Sequence, residues 1–204
     1  MFYSIISSVA DLIIKIISIL GHTGVGILMA IDSCNIPIPS EVTMPFAGFL
    51  AQSGTLSLWG VIIAGTVGSL AGSLVSYYIA HWIMGYRARV GWLKKIFSDS
   101  RVSQAERWFL KYGNASVFIG RMVPIVRTFI SLPAGIARMN VGKFILFTIL
   151  GSFLWSALFA YAGYILGEQW SSIDIYFRKF EFVVLILFVG IVYLIFKKER
   201  KNIG

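Results

Sequence analysis

Ile36–Gly54, IPIPSEVTMPFAGFLAQSG, is mostly apolar yet carries three prolines (Pro37, Pro39, Pro45) and a carboxylate, Glu41. A membrane-spanning helix needs about 20 apolar residues and must satisfy its backbone bonds internally. Proline removes a donor and clashes with the preceding turn, so this stretch cannot be one straight spanning helix. An ionisable group at membrane depth is costly and marks a pathway or a site. The pattern predicts a re-entrant hairpin over residues 32–55, open to the outside, with Glu41 near its tip and breaks at Pro39 and Pro45.

A second stretch answers it. Asn114–Met139, NASVFIGRMVPIVRTFISLPAGIARM, has the same character with the opposite charge, Arg121 and Arg127 standing around Pro124, with Pro133 beyond. All 5 prolines of the chain lie in these two stretches. A second hairpin is expected over 114–139, open to the inside and broken at Pro124 and Pro133.

The rest of the chain sets the environment. Of 204 residues, 57% are hydrophobic and 13% charged, against about 25% charged in soluble domains. This is the composition of an integral membrane protein with one membrane domain, residues 1–204. The lone Cys34 excludes an internal disulfide and has no metal-ligand spacing around it. A net charge of +9 would suggest nucleic acid in a soluble protein. Here the basic residues cluster in particular loops, so the positive-inside rule explains them and no nucleic acid is implied.

In chain order, residues 1–11 read as an N-terminal interfacial segment and 12–31 as a span, weakened by Gly21, Gly24 and Gly26. Asp11 and Lys15 interrupt the N-terminal apolar run, which lacks a cleavage site and is expected to stay as a helix. Residues 56–85 form a span whose Gly65, Gly68 and Gly72 let a neighbour approach closely. The loop 86–113 is rich in Lys and Arg, and Ser103 and Glu106 make a capping box for a basic amphipathic helix. Spans follow at 141–166 and 181–196, then a basic tail over 197–204. With loop 86–113 cytoplasmic, every basic cluster falls on one side, so the chain is expected in the cytoplasmic membrane with both termini inside.

The halves also match in order. Pro39 precedes Ala47-Gly48, and Pro124 precedes Ala134-Gly135. Gly68-Ser69 and Gly151-Ser152 follow, then Tyr78 and Tyr161, then Gly85 and Gly167. Opposed hairpins make this an inverted repeat, the architecture of secondary transporters. The expected fold class is therefore an all-α integral membrane protein, with two re-entrant hairpins meeting near the midplane and about four full spans.

Asp32, Glu41, Arg121 and Arg127 are the ionisable groups out of place in the apolar zone. Guanidinium presents a planar donor fork that suits phosphate and holds its charge when desolvated. Arg121 and Arg127 are thus expected to bind a substrate phosphate. Six residues apart, they would project about 240° from each other on a continuous helix, and a break at Pro124 would let them converge. Glu41 and Asp32 can exchange a proton, which suits them to coupling or gating. Enzyme chemistry finds little support: with only His22 and His81 there is no triad, no metal set and no cofactor site.

These segments resemble the DedA family of membrane proteins, which is related to eukaryotic lipid scramblases. The carriers are PIPSEVTMPFAGFLA, the G-R-x-x-P-x-x-R core of Gly120, Arg121, Pro124 and Arg127 with its later P-A-G, and GSFLWSALFAYAGYILG. The resemblance implies that Asp32, Glu41, Arg121 and Arg127 are the functional residues. Ser40 precedes Glu41 where many members have glycine. The family implies movement of phospholipid-like substrates, in bacteria the return of undecaprenyl phosphate to the cytoplasmic leaflet, with links to protons. Phosphatidylethanolamine translocation, proton-coupled export of a small solute, and a non-transporting membrane scaffold are the alternatives.

Overall fold

A computed structural model describes residues 2–36, 38–86, 113, 115–124 and 126–167, with side chains from residue 11 onward. The expectations for the 86–113 amphipathic helix, the 181–196 span and the basic tail lie outside the described residues. Among the described residues every regular element is a helix: α1 (Phe2–Leu20), α2 (His22–Ser33), α3 (Ser40–Gln52), α4 (Leu58–Tyr86), α5 (Ser116–Arg121), α6 (Val126–Phe129), α7 (Ser131–Ile136) and α8 (Val141–Leu166).

Two of these, α4 and α8, are long and apolar enough to cross a membrane. Their polarity is turned inside out relative to a water-soluble helix. On α8, Leu146, Leu150, Leu154 and Leu158 face outward while Thr148, Ser152 and Ser156 are buried. A helix that hides its hydroxyls and exposes its leucines is solvated by lipid, not by water. The two run antiparallel, with Gly65 beside Ser156 and Tyr77 stacked on Phe144 at 4.7 Å.

The broken segments depart from the expected boundaries. Residues 12–31 do not form one span, because the chain breaks at Gly21, whose φ of +57° lies where L side chains rarely go. Residues 1–11 are not a separate segment, since α1 runs without a break from Phe2 to Leu20. In the first region the helix is interrupted between α2 and α3, and Glu41 sits in the first turn of α3. Pro45 does not break the chain but lies inside α3. In the second region Pro124 stands in the interruption between α5 and α6, as a proline there should. Pro133 lies in the first turn of α7, just past the interruption at Ile130 that separates α6 from α7.

Glycine sets the packing. A Cβ on Gly68 would lie 2.1 Å from the Gly26 carbonyl oxygen, and one on Gly72 2.0 Å from that of Ala30. So α2 runs parallel to α4 in backbone contact, starting where the Ser57 N–H donates to His22 Nε2 at 3.2 Å and ending beside Ser76. On the other side, Gly151 of α8 admits Arg121 of α5, its Cβ position being 2.8 Å from that of Arg121. The following limbs exchange partners. Helix α3 packs on α8, with Gly48 against the Ala160 carbonyl and Gly163 against the Pro45 carbonyl, while α7 packs on α4 through Gly135 and Tyr77.

The matched Ala-Gly pairs thus both place their glycine against the long helix of the other half. The matched tyrosines do no such work, since Tyr78 and Tyr161 both point outward. A core of Tyr77, Val117, Ala134, Met139 and Phe144 joins α4, α5, α7 and α8. Tyr77 is oriented in it by donating its hydroxyl to the Met139 carbonyl.

Candidate functional site

The interruption after α2 and the short helix α6 meet. Asp32, at the end of α2, and Arg127, on α6, form an ion pair through Oδ2 and Nη2 although they are 95 residues apart in sequence. Both are buried, 3% and 6% exposed. An unpaired charge in such a place would cost several kcal/mol, about 3–5 when one partner is removed, so pairing is the condition for burying either. The second carboxylate oxygen of Asp32 accepts from Thr128 Oγ1 at 3.4 Å. The Arg127 guanidinium also lies over the indole of Trp155, 4.9 Å from the ring centroid. Its plane is therefore held by a carboxylate at one edge and an aromatic face below.

A cleft of about 220 Å³ opens beside this pair, lined by Asp32, Ile38, Pro39, Ser40, Glu41, Arg127, Thr128 and Phe129. Glu41 is half-buried here and accepts from Ser40 Oγ at 3.3 Å. It has this position because α3 begins at Ser40, directly after Pro39, which puts its carboxyl in the first helical turn facing the cleft. Negative charge is also favourable at that end of a helix.

Arg121 is elsewhere. It is 3% exposed and does not line the cleft. From the last turn of α5 it reaches between the two long helices, donating to Ser73 of α4 at 2.5 Å, Ser131 of α7 at 3.2 Å and Ser152 of α8 at 3.3 Å. Ser73 is aimed for this role: its own proton goes to the Ser69 carbonyl one turn back, leaving the oxygen lone pairs for the guanidinium. Three hydroxyls solvate the charge without neutralising it, and the Arg121 Nε has no hydrogen-bond partner. Among the described residues no carboxylate lies within ion-pair distance of it.

The four sequence-derived residues thus divide. Asp32, Glu41 and Arg127 share one cleft, and Arg121 stands behind it. The expected balance of one acid facing two arginines becomes two acids and one arginine at the cleft, with the surplus positive charge buried in a serine cage. The close approach of α5 to Gly151 is the physical reason, because it directs the Arg121 side chain into the α4–α8 seam. Sequence reading missed Thr128, Trp155 and the serines. Trp155 is given no role of its own there, and of the serines Ser152 stands only in the matched Gly151-Ser152 pair and Ser73 in none. Only their periodicity with Ser69 and Ser156 hints at a buried polar face. Among the described residues no group of three His, Cys, Asp or Glu side chains is placed to hold a metal.

Residues 38–165 match the VTT domain family. Undecaprenyl phosphate transporter A of Bacillus subtilis is 35% identical over 188 residues, covering 90% of both chains. A Lactococcus lactis protein named alkaline phosphatase-like is 34% identical over 200 residues, covering 93% of this chain and 92% of its own. Protein DedA of Escherichia coli is 30% identical over 132 residues, covering 64% of this chain and 60% of its own. No solved structure matches the chain significantly.

Proposed function

Because the chain belongs to the VTT-domain (DedA) family of membrane proteins, we propose that it moves a phosphate-headed lipid, undecaprenyl phosphate, across the cytoplasmic membrane. One observation carries this reading: a buried guanidinium, Arg127, sits at the wall of a cleft, held by groups that a phosphate could replace or join. A phosphate presents a pair of oxygens that a guanidinium fork can grip as it grips a carboxylate. The name of the Bacillus relative supports the choice of lipid.

In this reading Arg127 binds the headgroup and Asp32 is its counter-ion in the empty state. Displaced from Arg127 by a phosphate, Asp32 leaves a cleft holding two carboxylates and an anion, which is electrostatically untenable unless protons arrive. Asp32 and Glu41 are then the groups that take them up, coupling lipid movement to protons. Arg121 contributes its buried charge from behind and reaches the phosphate directly only if α5 shifts. The lipid tail stays in the bilayer while the head crosses, which suits a cleft this small.

The packing supports the two broken regions as re-entrant hairpins of an inverted repeat. The α2 end beside Ser76 and the α5 end beside Ser73 come together just past the middle of α4, approached from opposite ends. The basic clusters in the sequence support cytoplasmic termini.

The test is transport of labelled undecaprenyl phosphate between leaflets of vesicles containing the purified full chain. Movement is expected, with loss in Arg127→Ala and Glu41→Gln. No lipid movement with intact solute export would overturn the proposal in favour of an exporter, and normal cellular function of both variants would favour a scaffold. Release of inorganic phosphate in the same vesicles would instead point to the activity that the Lactococcus name suggests.

A further inference from the structure

We infer that Asn35 is a positioning residue that sets where Arg127 is presented to the cleft. It stands in the interruption after α2 with φ +69°, a left-handed conformation that asparagine adopts more readily than most residues. There its side chain bridges two elements. Its Nδ2–H donates to the backbone carbonyl of Thr128 at 3.0 Å, and its Oδ1 accepts from Ser76 Oγ of α4 at 2.7 Å. The Ser33 carbonyl at the end of α2 lies 3.1 Å from the same Ser76 hydroxyl, whose one proton it shares with the closer Asn35 Oδ1.

The amide of Asn35 therefore fastens the main chain next to Arg127 to a long helix. The attachment differs in kind from the Asp32–Arg127 pair. That pair involves side chains at the cleft and must open if a phosphate is to take Arg127. Asn35 holds a main-chain carbonyl, so α6 stays in place when the side-chain pair opens. A four-residue helix such as α6 has little internal hydrogen bonding of its own to keep it so. Apart from Asp32, which must let go, Asn35 is its hydrogen-bonded link to the first broken region.

This inference rests on Arg127 as the phosphate-holding group, and two measurements separate its failure from failure of that reading. Asn35→Gly keeps the positive φ and removes both bonds; Asn35→Asp keeps the backbone preference and the acceptor but loses the donor to Thr128. In vesicles holding labelled undecaprenyl phosphate, either variant should raise the half-saturating lipid concentration about tenfold, the worth of one or two such bonds. In an Arg127→Lys background the same change should add less than about twofold, because the group being positioned is already altered. A tenfold loss that persists undiminished in that background would overturn the inference.

The second measurement is independent of transport. Hydrogen exchange of the full chain should quicken in Asn35→Gly at the Arg127 and Ile130 amides, which now bond to Val123 and Val126 at 3.0 and 2.8 Å. Exchange in α4 and α8 should stay unchanged. Unaltered exchange at those two amides, or a rise spread evenly over the long helices, would refute the positioning role. It would do so even if the vesicles move no phosphate lipid at all.

Discussion

Arg121 and Arg127 are six residues apart and are buried almost equally, yet the molecule treats them in opposite ways. Arg127 is neutralised by a carboxylate from the other broken region, steadied by an indole, and open to a cleft. Arg121 keeps its charge, spreads it over three hydroxyls from three helices, and does not line that cleft. The difference teaches that a buried cation can be accommodated by pairing or by solvation, and that the two have different uses. A pair can be exchanged for another anion. A cage of hydroxyls, each neutral and anchored to a helix, holds its charge in place and binds the helices to one another.

Variants can break this comparison at either side. The largest effect is expected from Asp32→Ala, which strands Arg127 without its counter-ion. Thermal or denaturant unfolding in detergent should show a loss of about 3–5 kcal/mol. Adding Arg127→Gln to that variant should restore a large part of it, since the stranded charge is then gone. If Asp32→Ala unfolds like the parent, the pair is not what makes Arg127 bearable.

On the other side, Ser73→Ala should cost about 1.5–3 kcal/mol, the range for a hydrogen bond to a charged group. Its lipid-binding constant should barely move, because Arg121 does not line the cleft. A large change in lipid affinity with unchanged stability would show that the caged arginine meets the substrate after all. The backbone contacts beneath the cage can be probed as well. Gly72→Val should lower stability by about 1–3 kcal/mol through forced separation of α2 from α4, measured by the same unfolding. The smallest effect belongs to Trp155→Phe. The aromatic face stays under Arg127 and the lost indole N–H has no partner now, so unfolding should shift by only about 1 kcal/mol, the cost of a smaller ring in a buried site.

One further measurement sharpens the geometry of the first broken region. Cys34 is the sole cysteine and is half-buried beside the cleft-forming interruption. A membrane-impermeant maleimide should label it from the outer face of intact cells, as the proposed outside-open hairpin requires. Labelling only from the cytoplasmic face would invert the topology.

Much of the architecture could be read from residues alone because its causes are local. Proline at 39 and 124 disfavours continuous helix, and the chain is interrupted at both. The unbroken apolar runs of α4 and α8 must be helices in lipid, and Gly68 and Gly72 announce a close contact by their spacing. Where local rules allowed two outcomes, the reading went wrong. Pro45 can sit inside a helix or end it, and Gly21 can continue a helix or turn it. At Pro45 packing favoured the helix, with its carbonyl pressed against Gly163.

The sequence by itself determined that four ionisable groups must be buried among apolar helices, and that buried charge must find compensation. Only the tertiary structure decided which acid serves which arginine. That choice depends on helix rotation and on approach distances across 95 residues of chain. A backbone contact at Gly151 sends Arg121 to the serines, and the end of α2 beside Ser76 sends Asp32 to Arg127. No pattern along the chain encodes those angles, because they are settled by which surfaces fit.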